Sequence, residues 1–240
     1  MTRGSADRFA RRRRSARLGR LRWVWAGLAV VAVAAGLAWV VLFSTWLGVR
    51  GIAVSGEQTV AAREIRDATA VADGTPLVRV DAGAVERRIE QIPRIESATV
   101  HRSWPQTLRI EIRERTAIAV VNDDGEKQAL DRHGVLFKHV KKVPKRLPEV
   151  TVTADGAGRE DALREVAAVV DALDHSIAHK VERVQVASMD AIVLVLRNGD
   201  EVRWGSAEDS GRKAQVLRTL LKLPADTYDV TAPERPTTKS

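Results

Sequence analysis

Residues 23–49 carry no formal charge, and residues 23–43 are almost wholly Val, Ala, Leu, Gly and Trp. About 20 such residues cross the hydrocarbon of a bilayer as a helix, which satisfies its own backbone hydrogen bonds. Trp23, Trp25, Trp39 and Trp46 fall toward the two ends of the run, where indoles favour the headgroup layer. A cleaved signal peptide is the competing reading, but its apolar core is only about 7–15 residues and a small-residue cleavage site follows it. Here the run is longer, Ala32-Val33-Ala34 lies inside it, and residues 43–47 offer no A-x-A pattern. The sequence therefore predicts an uncleaved transmembrane helix over residues 23–48.

Charge decides the orientation expected of it. The chain has 39 basic and 31 acidic residues, a net charge of +8. Residues 1–22 hold Arg3, Arg8, Arg11, Arg12, Arg13, Arg14, Arg17, Arg20 and Arg22 against the single acid Asp7, so this segment accounts for the whole excess. Such a tail binds nucleic acid or sits against anionic headgroups. Reading DNA calls for a folded or aromatic reader, and Phe9 is the one aromatic in residues 1–22. Beside an apolar span, basic residues stay in the cytoplasm. We expect a cytoplasmic tail over 1–22, an exported and electrically neutral remainder, and no nucleic acid partner. The absence of cysteine fits an exported chain without disulfides, as it fits chains of other compartments.

The exported part reads as two modules. In residues 49–115, Ile52-Ala53-Val54 gives a short strand ending at Ser55-Gly56. Residues 60–70 read as a helix with Ile65 and Ala68 inward. Asp81 is a candidate N-cap before Val85, Ile89 and Ile92, which recur at helical spacing until Pro93. Ala98, Val100 and Arg102 alternate with Thr99 and His101, and Leu108, Ile110 and Ile112 alternate with Arg109, Glu111 and Arg113, a hairpin with one dry face. The order is strand, helix, helix, strand, strand, a two-layer α+β module.

Residues 116–231 are richer in strands. Expected strands are 118–121, 128–130, 134–137, 147–152, 181–186, 191–196, 201–204 and 227–230. Asn122-Asp123-Asp124-Gly125-Glu126 and Asn198-Gly199 supply turns. Helices are expected over 159–175 and 213–223, the second with Val216, Leu217, Leu220 and Leu221 inward. Residues 232–240, with Pro233 and Pro236, read as a flexible C-terminal tail.

Four stretches in this order resemble one family, the bacterial cell-division proteins FtsQ/DivIB. They are Val49-Arg50-Gly51-Ile52-Ala53-Val54-Ser55-Gly56, the run from Ile92 through Val100 into Arg102-Ser103-Trp104-Pro105-Gln106-Thr107-Leu108-Arg109-Ile110-Glu111-Ile112-Arg113-Glu114-Arg115, then Leu130-Asp131-Arg132-His133-Gly134-Val135-Leu136-Phe137, and finally residues 198–205 with Lys213, Leu217, Leu220, Leu221 and residues 228–233. The second stretch is the most specific. The arginine- and alanine-rich composition points to an actinobacterium.

The resemblance implies an α+β fold with a single N-terminal transmembrane helix, a β-α-α-β-β POTRA module and a β-rich FtsQ-type domain. It implies a non-catalytic divisome scaffold with no cofactor, at the septum in the plasma membrane. Such a scaffold binds FtsB- and FtsL-type partners outside the membrane and links them to septal peptidoglycan synthesis. A partner segment adds to the last strand in this family, which is β-augmentation of an exposed edge. Carried onto this chain, the edge is Thr227, Tyr228, Asp229, Val230 and Thr231, with Tyr228 as the side-chain anchor.

Blander readings stand beside these. Trp104 packs over the sheet end or meets a partner; Trp204 is core; Tyr228 is an anchor or a satisfied core tyrosine. His175 and His179 have the spacing of a helical metal pair, but Ser176-Ile177-Ala178 lacks the Glu of H-E-x-x-H. Asp123-Asp124 fits a turn better than calcium. Lys138, Lys141, Lys142, Lys145 and Arg146 form a solvated loop or meet anionic lipid or wall polymer. Two other functions remain open at this level: a POTRA-type module in protein export or envelope assembly, and a membrane-anchored cell-wall hydrolase.

Overall fold

A computed structural model describes residues 6–43, 45–123, 125–153 and 157–240. Residues 1–5 of the expected tail, and Asp124 of the expected turn, lie outside them. The first helix, α1, runs Ala6–Phe43, so it begins inside the arginine-rich segment rather than at Trp23. Ala, Arg and Leu are all good helix formers and no proline interrupts them. Its window Trp25–Leu42 has mean hydropathy 2.3, and none of it is buried within the protein. A bare apolar surface of this extent belongs in lipid.

The chain divides into two compact units, one made of Met1–Glu57, Ala61–Ile89 and Ala98–Ile112, the other of Gln58–Val60, Glu90–Ser97 and Arg113–Ser240. The division does not fall at a single point near residue 115. Backbone N–H groups of Gln58, Thr59 and Val60 donate to the Glu114 carboxylate, and the Arg115 N–H donates to the Arg94 carbonyl. These bonds hold two short segments to the second unit.

In the first unit β1 is Gly51–Ser55, α2 Ala62–Thr69 and α3 Ala82–Ile89, followed by β2 at Ile95–Ser103 and β3 at Thr107–Glu114. The sheet order is β1-β3-β2, with β1 parallel to β3 from Gly51↔Thr107 to Ser55↔Glu111. Leu108 and Ile110, of the dry face that the alternation predicts, are fully buried, as are Ile65 and Val85 of the helices and Leu77. Asp81 caps α3 by accepting from the Ala84 N–H at 3.1 Å. The helix stops at Ile89, short of Ile92 and Pro93; the Ile92 carbonyl instead accepts from the Ile95 N–H, which turns the chain into β2. Residues 77–79, which lead up to Asp81, form a 3-10 turn.

The second unit has β4 (Ala119–Asp123), β5 (Glu126–Leu130), β6 (Leu136–His139), β7 (Glu149–Val152), α4 (Ala157–Ala172) and α5 (His175–Ala178). It continues with β8 (Val181–Val186), β9 (Ile192–Leu196), β10 (Glu201–Gly205), α6 (Ser210–Leu220), β11 (Thr227–Asp229) and β12 (Thr237–Lys239). The strands form one mixed sheet in the order β12-β11-β10-β9-β8-β7-β4-β5-β6. Val166 and Val170 of α4 and Leu217 of α6 join the sheet's buried residues in one core. Trp204 is core, as expected, with its Nε1–H donating to Ser210 Oγ at 3.0 Å.

Three expectations change here. The strand over 134–137 starts only at Leu136, because Gly134 sits in a tight turn at φ +79° with the Arg164 backbone too close for any Cβ. The helix over 159–175 is two helices, broken at Asp174, whose carboxylate caps α5 by accepting from Ser176 and Ile177. Residues 237–239, expected in a flexible tail, form β12; two β-branched threonines favour the extended state.

Candidate partner-binding edge

The structure places the expected edge residues one strand inside the sheet. β11 is flanked by β10, in parallel register from Glu201↔Thr227 to Arg203↔Asp229, and by β12, antiparallel from Thr227↔Lys239 to Asp229↔Thr237. The outermost strand at this end is β12. Two further bonds fix the join: the Asp226 N–H donates to the Lys239 carbonyl at 2.9 Å, and the Val230 N–H to the Arg203 carbonyl at 3.0 Å.

The side chains of the region differ in kind. Tyr228 and Val230 are buried, and the Tyr228 hydroxyl donates to the Leu223 carbonyl at 2.8 Å. Of the two readings of Tyr228, the structure shows the satisfied core tyrosine and not an exposed anchor. Thr227 and Asp229 are half-buried and Thr231 is exposed. Asp229 Oδ1 accepts from the Thr231 N–H at 3.0 Å and from its hydroxyl, which shapes the exit from β11. By contrast, Thr237, Thr238 and Lys239 are all exposed. β12 is thus held by backbone bonds to β11, while its side chains and its outer edge carry no strand partner among the described residues. The connection between the two strands is pinned by an ion pair between Arg212 and Glu234 at 2.7 Å.

Sequence reasoning missed β12 because three residues after two prolines carry almost no periodic signal. The β-branched pair Thr237-Thr238 was the cue available. Beside the inner strand, a cavity of about 340 Å³ is lined by His179, Lys180, Arg197, Asn198, Leu221 and Tyr228.

Three polar centres lie elsewhere in the protein. Asp131 is buried; its carboxylate takes the Arg115 guanidinium at 2.5 Å and the N–H groups of His133 and Val135. These contacts lock the β5–β6 turn. Desolvation raises the pKa of Glu114, but the Thr59 hydroxyl and the N–H groups of Val60, Gln58 and Thr59 outweigh it and hold it down to about 2. Burial lowers the pKa of Lys213 against the raising influence of Asp209, Glu208 and Glu165, and its ammonium donates to the Ser206 carbonyl at 2.9 Å.

The remaining candidates sit apart from the edge. His175 and His179 lie at the start of α5 and just past its end, with ring centroids 6.3 Å apart. Asp123 pairs with Arg159 at 2.9 Å. Lys138, Lys141, Lys142, Lys145 and Arg146 are exposed along the stretch from β6 to β7, where the Lys145 carbonyl accepts from the Arg197 guanidinium. Trp104 is 52% exposed at the β2–β3 turn.

An apolar helix leading into a β-α-α-β-β module and then a mixed sheet defines a single-pass membrane protein with an extramembrane α+β part. Comparison with known proteins narrows this. The profile for the POTRA domain, FtsQ-type, matches residues 47–115, and that for the cell division protein FtsQ/DivIB, C-terminal, matches residues 119–231. A cell division protein FtsQ of Streptomyces bingchenggensis is 37% identical over 93% of this chain and 88% of its own length. That of Streptomyces venezuelae is 34% identical over 98% and 91%, and that of Mycolicibacterium smegmatis 38% identical over 90% and 64%. Among solved structures, the major extracytoplasmic domain of DivIB from Geobacillus stearothermophilus matches 42% of this chain and 87% of its own, at 20% identity and a TM-score of 0.36. The chain belongs to the FtsQ/DivIB family of cell-division proteins.

Proposed function

We propose that this protein is a non-catalytic divisome scaffold, with its N-terminus in the cytoplasm and residues 49–240 outside the membrane. There it holds FtsB- and FtsL-type partners at the septum and links them to peptidoglycan synthesis. The single observation that carries the reading is the exposed terminal strand of the nine-stranded sheet, beside the residues the family resemblance points to. Thr227, Tyr228, Asp229, Val230 and Thr231 form its floor, and β12 presents the backbone on which an extended partner segment adds. Family membership supports the division role; the arginines that precede the apolar run of α1 support the orientation.

The test uses the full-length protein and capture of an FtsB-type partner. Substituting Tyr228 or Val230 reports on folding first, because both are buried. Thr238→Pro instead removes a donor from an exposed strand, and loss of residues 237–240 removes the strand. Both variants should keep the fold and weaken capture about tenfold or more, equivalent to about 1.4 kcal/mol. Unchanged capture by both would put the partner site elsewhere, and normal septation after depletion would remove the scaffold reading altogether.

A further inference from the structure

The end of α1 is joined to the first unit by a short, well-bonded connection. Residues 45–47 form a 3-10 turn. The Gln106 side-chain amide donates to the Trp46 carbonyl at 2.9 Å, and the Arg50 N–H donates to the Gln106 carbonyl at 2.9 Å. On the other side Gly48 bridges Pro76, and the Val49 N–H donates to the Thr75 carbonyl at 2.9 Å. Gly48 is packed so closely that a Cβ there would lie 2.5 Å from the Gly74 carbonyl oxygen. The β2–β3 turn and the 3-10 turn at residues 77–79 are therefore both fastened to the first residues after the helix. Arg102 ties them to each other by donating to the Val80 carbonyl at 2.7 Å.

This end of the unit carries a distinctive surface. Trp46 is 79% exposed, Trp104 52% and Val78 38%, and Arg50 and Arg79 stand exposed beside them. Three residues of chain from Phe43 to Trp46 reach at most about 11 Å. The headgroup layer is itself about 5–7 Å deep on each side of the hydrocarbon. We propose that this face is a lipid-contacting surface, in which Trp104 and Val78 enter the headgroup layer around α1 while Arg50 and Arg79 meet its phosphates. Indoles favour that layer because the ring is apolar and its N–H polar. Guanidinium groups bind phosphate in a bidentate manner. The bilayer is the occupant the geometry selects, because the face is continuous with the membrane-spanning helix.

The proposal rests on α1 crossing a bilayer and holds whichever leaflet α1 ends in. The chain has no native cysteine, so single-label variants of the full-length protein are direct. Trp104→Cys, Val78→Cys, Glu111→Cys and Val33→Cys are each tagged with an environment-sensitive fluorophore and placed in vesicles of phosphatidylethanolamine and phosphatidylglycerol. Lipids spin-labelled at the headgroup or deep in the acyl chain then report depth. Val78→Cys retains Trp104 and so reads the face with its indole in place. We expect several-fold stronger headgroup-depth quenching at 104 and 78 than at Glu111, which lies within β3 seven residues after Trp104, and deep quenching at Val33. Labels at 104 and 78 that behave like 111, while Val33 is quenched deeply, would overturn the surface and leave the anchor intact. Quenching at only one of the two turns overturns it as well, since both are fastened to the same end. An unquenched Val33 would remove the anchor reading, and this proposal with it.

Discussion

The two edges of the nine-stranded sheet are built differently. At one end β6 returns from β5 through a turn locked by buried Asp131, and exposed Lys138, Lys141 and Lys142 follow. Lysine along an edge is a common guard against unwanted strand pairing. At the other end β12 is three residues long, exposed on both faces, and reached through a connection pinned by a solvent-exposed ion pair. Core side chains stop at β11, with Tyr228 and Val230. One edge is thus closed by charge and fixed by a buried network, while the other is a light strand over a solid floor. A sheet that must accept one kind of partner strand gains by guarding the edge it does not use.

The comparison can be broken most forcefully at Asp131. Its side chain is 3% exposed and that of Arg115 16%, and removing one member of a buried pair costs about 3–5 kcal/mol. Asp131→Ala should lower stability in denaturant by that amount; a change as small as that of a surface pair would mean that the β6 turn is not locked. Tyr228→Ala comes next, at about 3 kcal/mol for an emptied core site, and would show that the floor under β12 is part of the fold. Tyr228→Phe removes only the bond to Leu223 and should cost about 1 kcal/mol.

Glu114 is read by pH rather than by size. Its carboxyl is depressed from 4.5 to about 2, so the fold binds fewer protons than the unfolded chain between those values. The stabilisation is complete above pH 4.5 and disappears as pH falls toward 2. Acid titration of the wild-type protein against Glu114→Gln should show the two stability curves converging over that interval. A gap that stays constant with pH would sink the assignment. Smallest is Arg212→Ala, which breaks the exposed pair with Glu234 and should cost under about 0.5 kcal/mol; a much larger loss would show that this pair holds the end of the sheet as firmly as a buried one.

Much of the first unit was legible because its signals are local. Asp81, the alternation of Leu108, Ile110 and Ile112, and the Ser55-Gly56 turn each declare themselves within a few residues. Gly56 is held at φ +90° with the Ile112 carbonyl against it, which only glycine tolerates. In the second unit the Asn198-Gly199 hairpin was equally plain. What the residues could not state was the order of strands. β11 follows β10 in sequence but pairs with it in parallel through α6, and a short strand beyond it then takes the outer place. Edge status is a property of the whole sheet, so the residues alone leave Tyr228 open between anchor and core, and its surroundings make it core. The buried role of Asp131 was equally hidden, since its Arg115 partner lies sixteen residues earlier.

The parallel pairing of β1 with β3 has a mechanical side. The membrane helix pulls on β1 from its N-terminal end at Gly51, and β3 passes load onward from its C-terminal end at Glu114. Tension between membrane and the second unit therefore slides two parallel strands past each other, loading their hydrogen bonds together rather than one by one. Such a shear geometry resists force far better than unzipping. Pulling between residues 47 and 115 in a single-molecule instrument should find this sheet yielding in one abrupt step. The pair that such a pull loads in shear lies just after the membrane helix, between it and the rest of the chain.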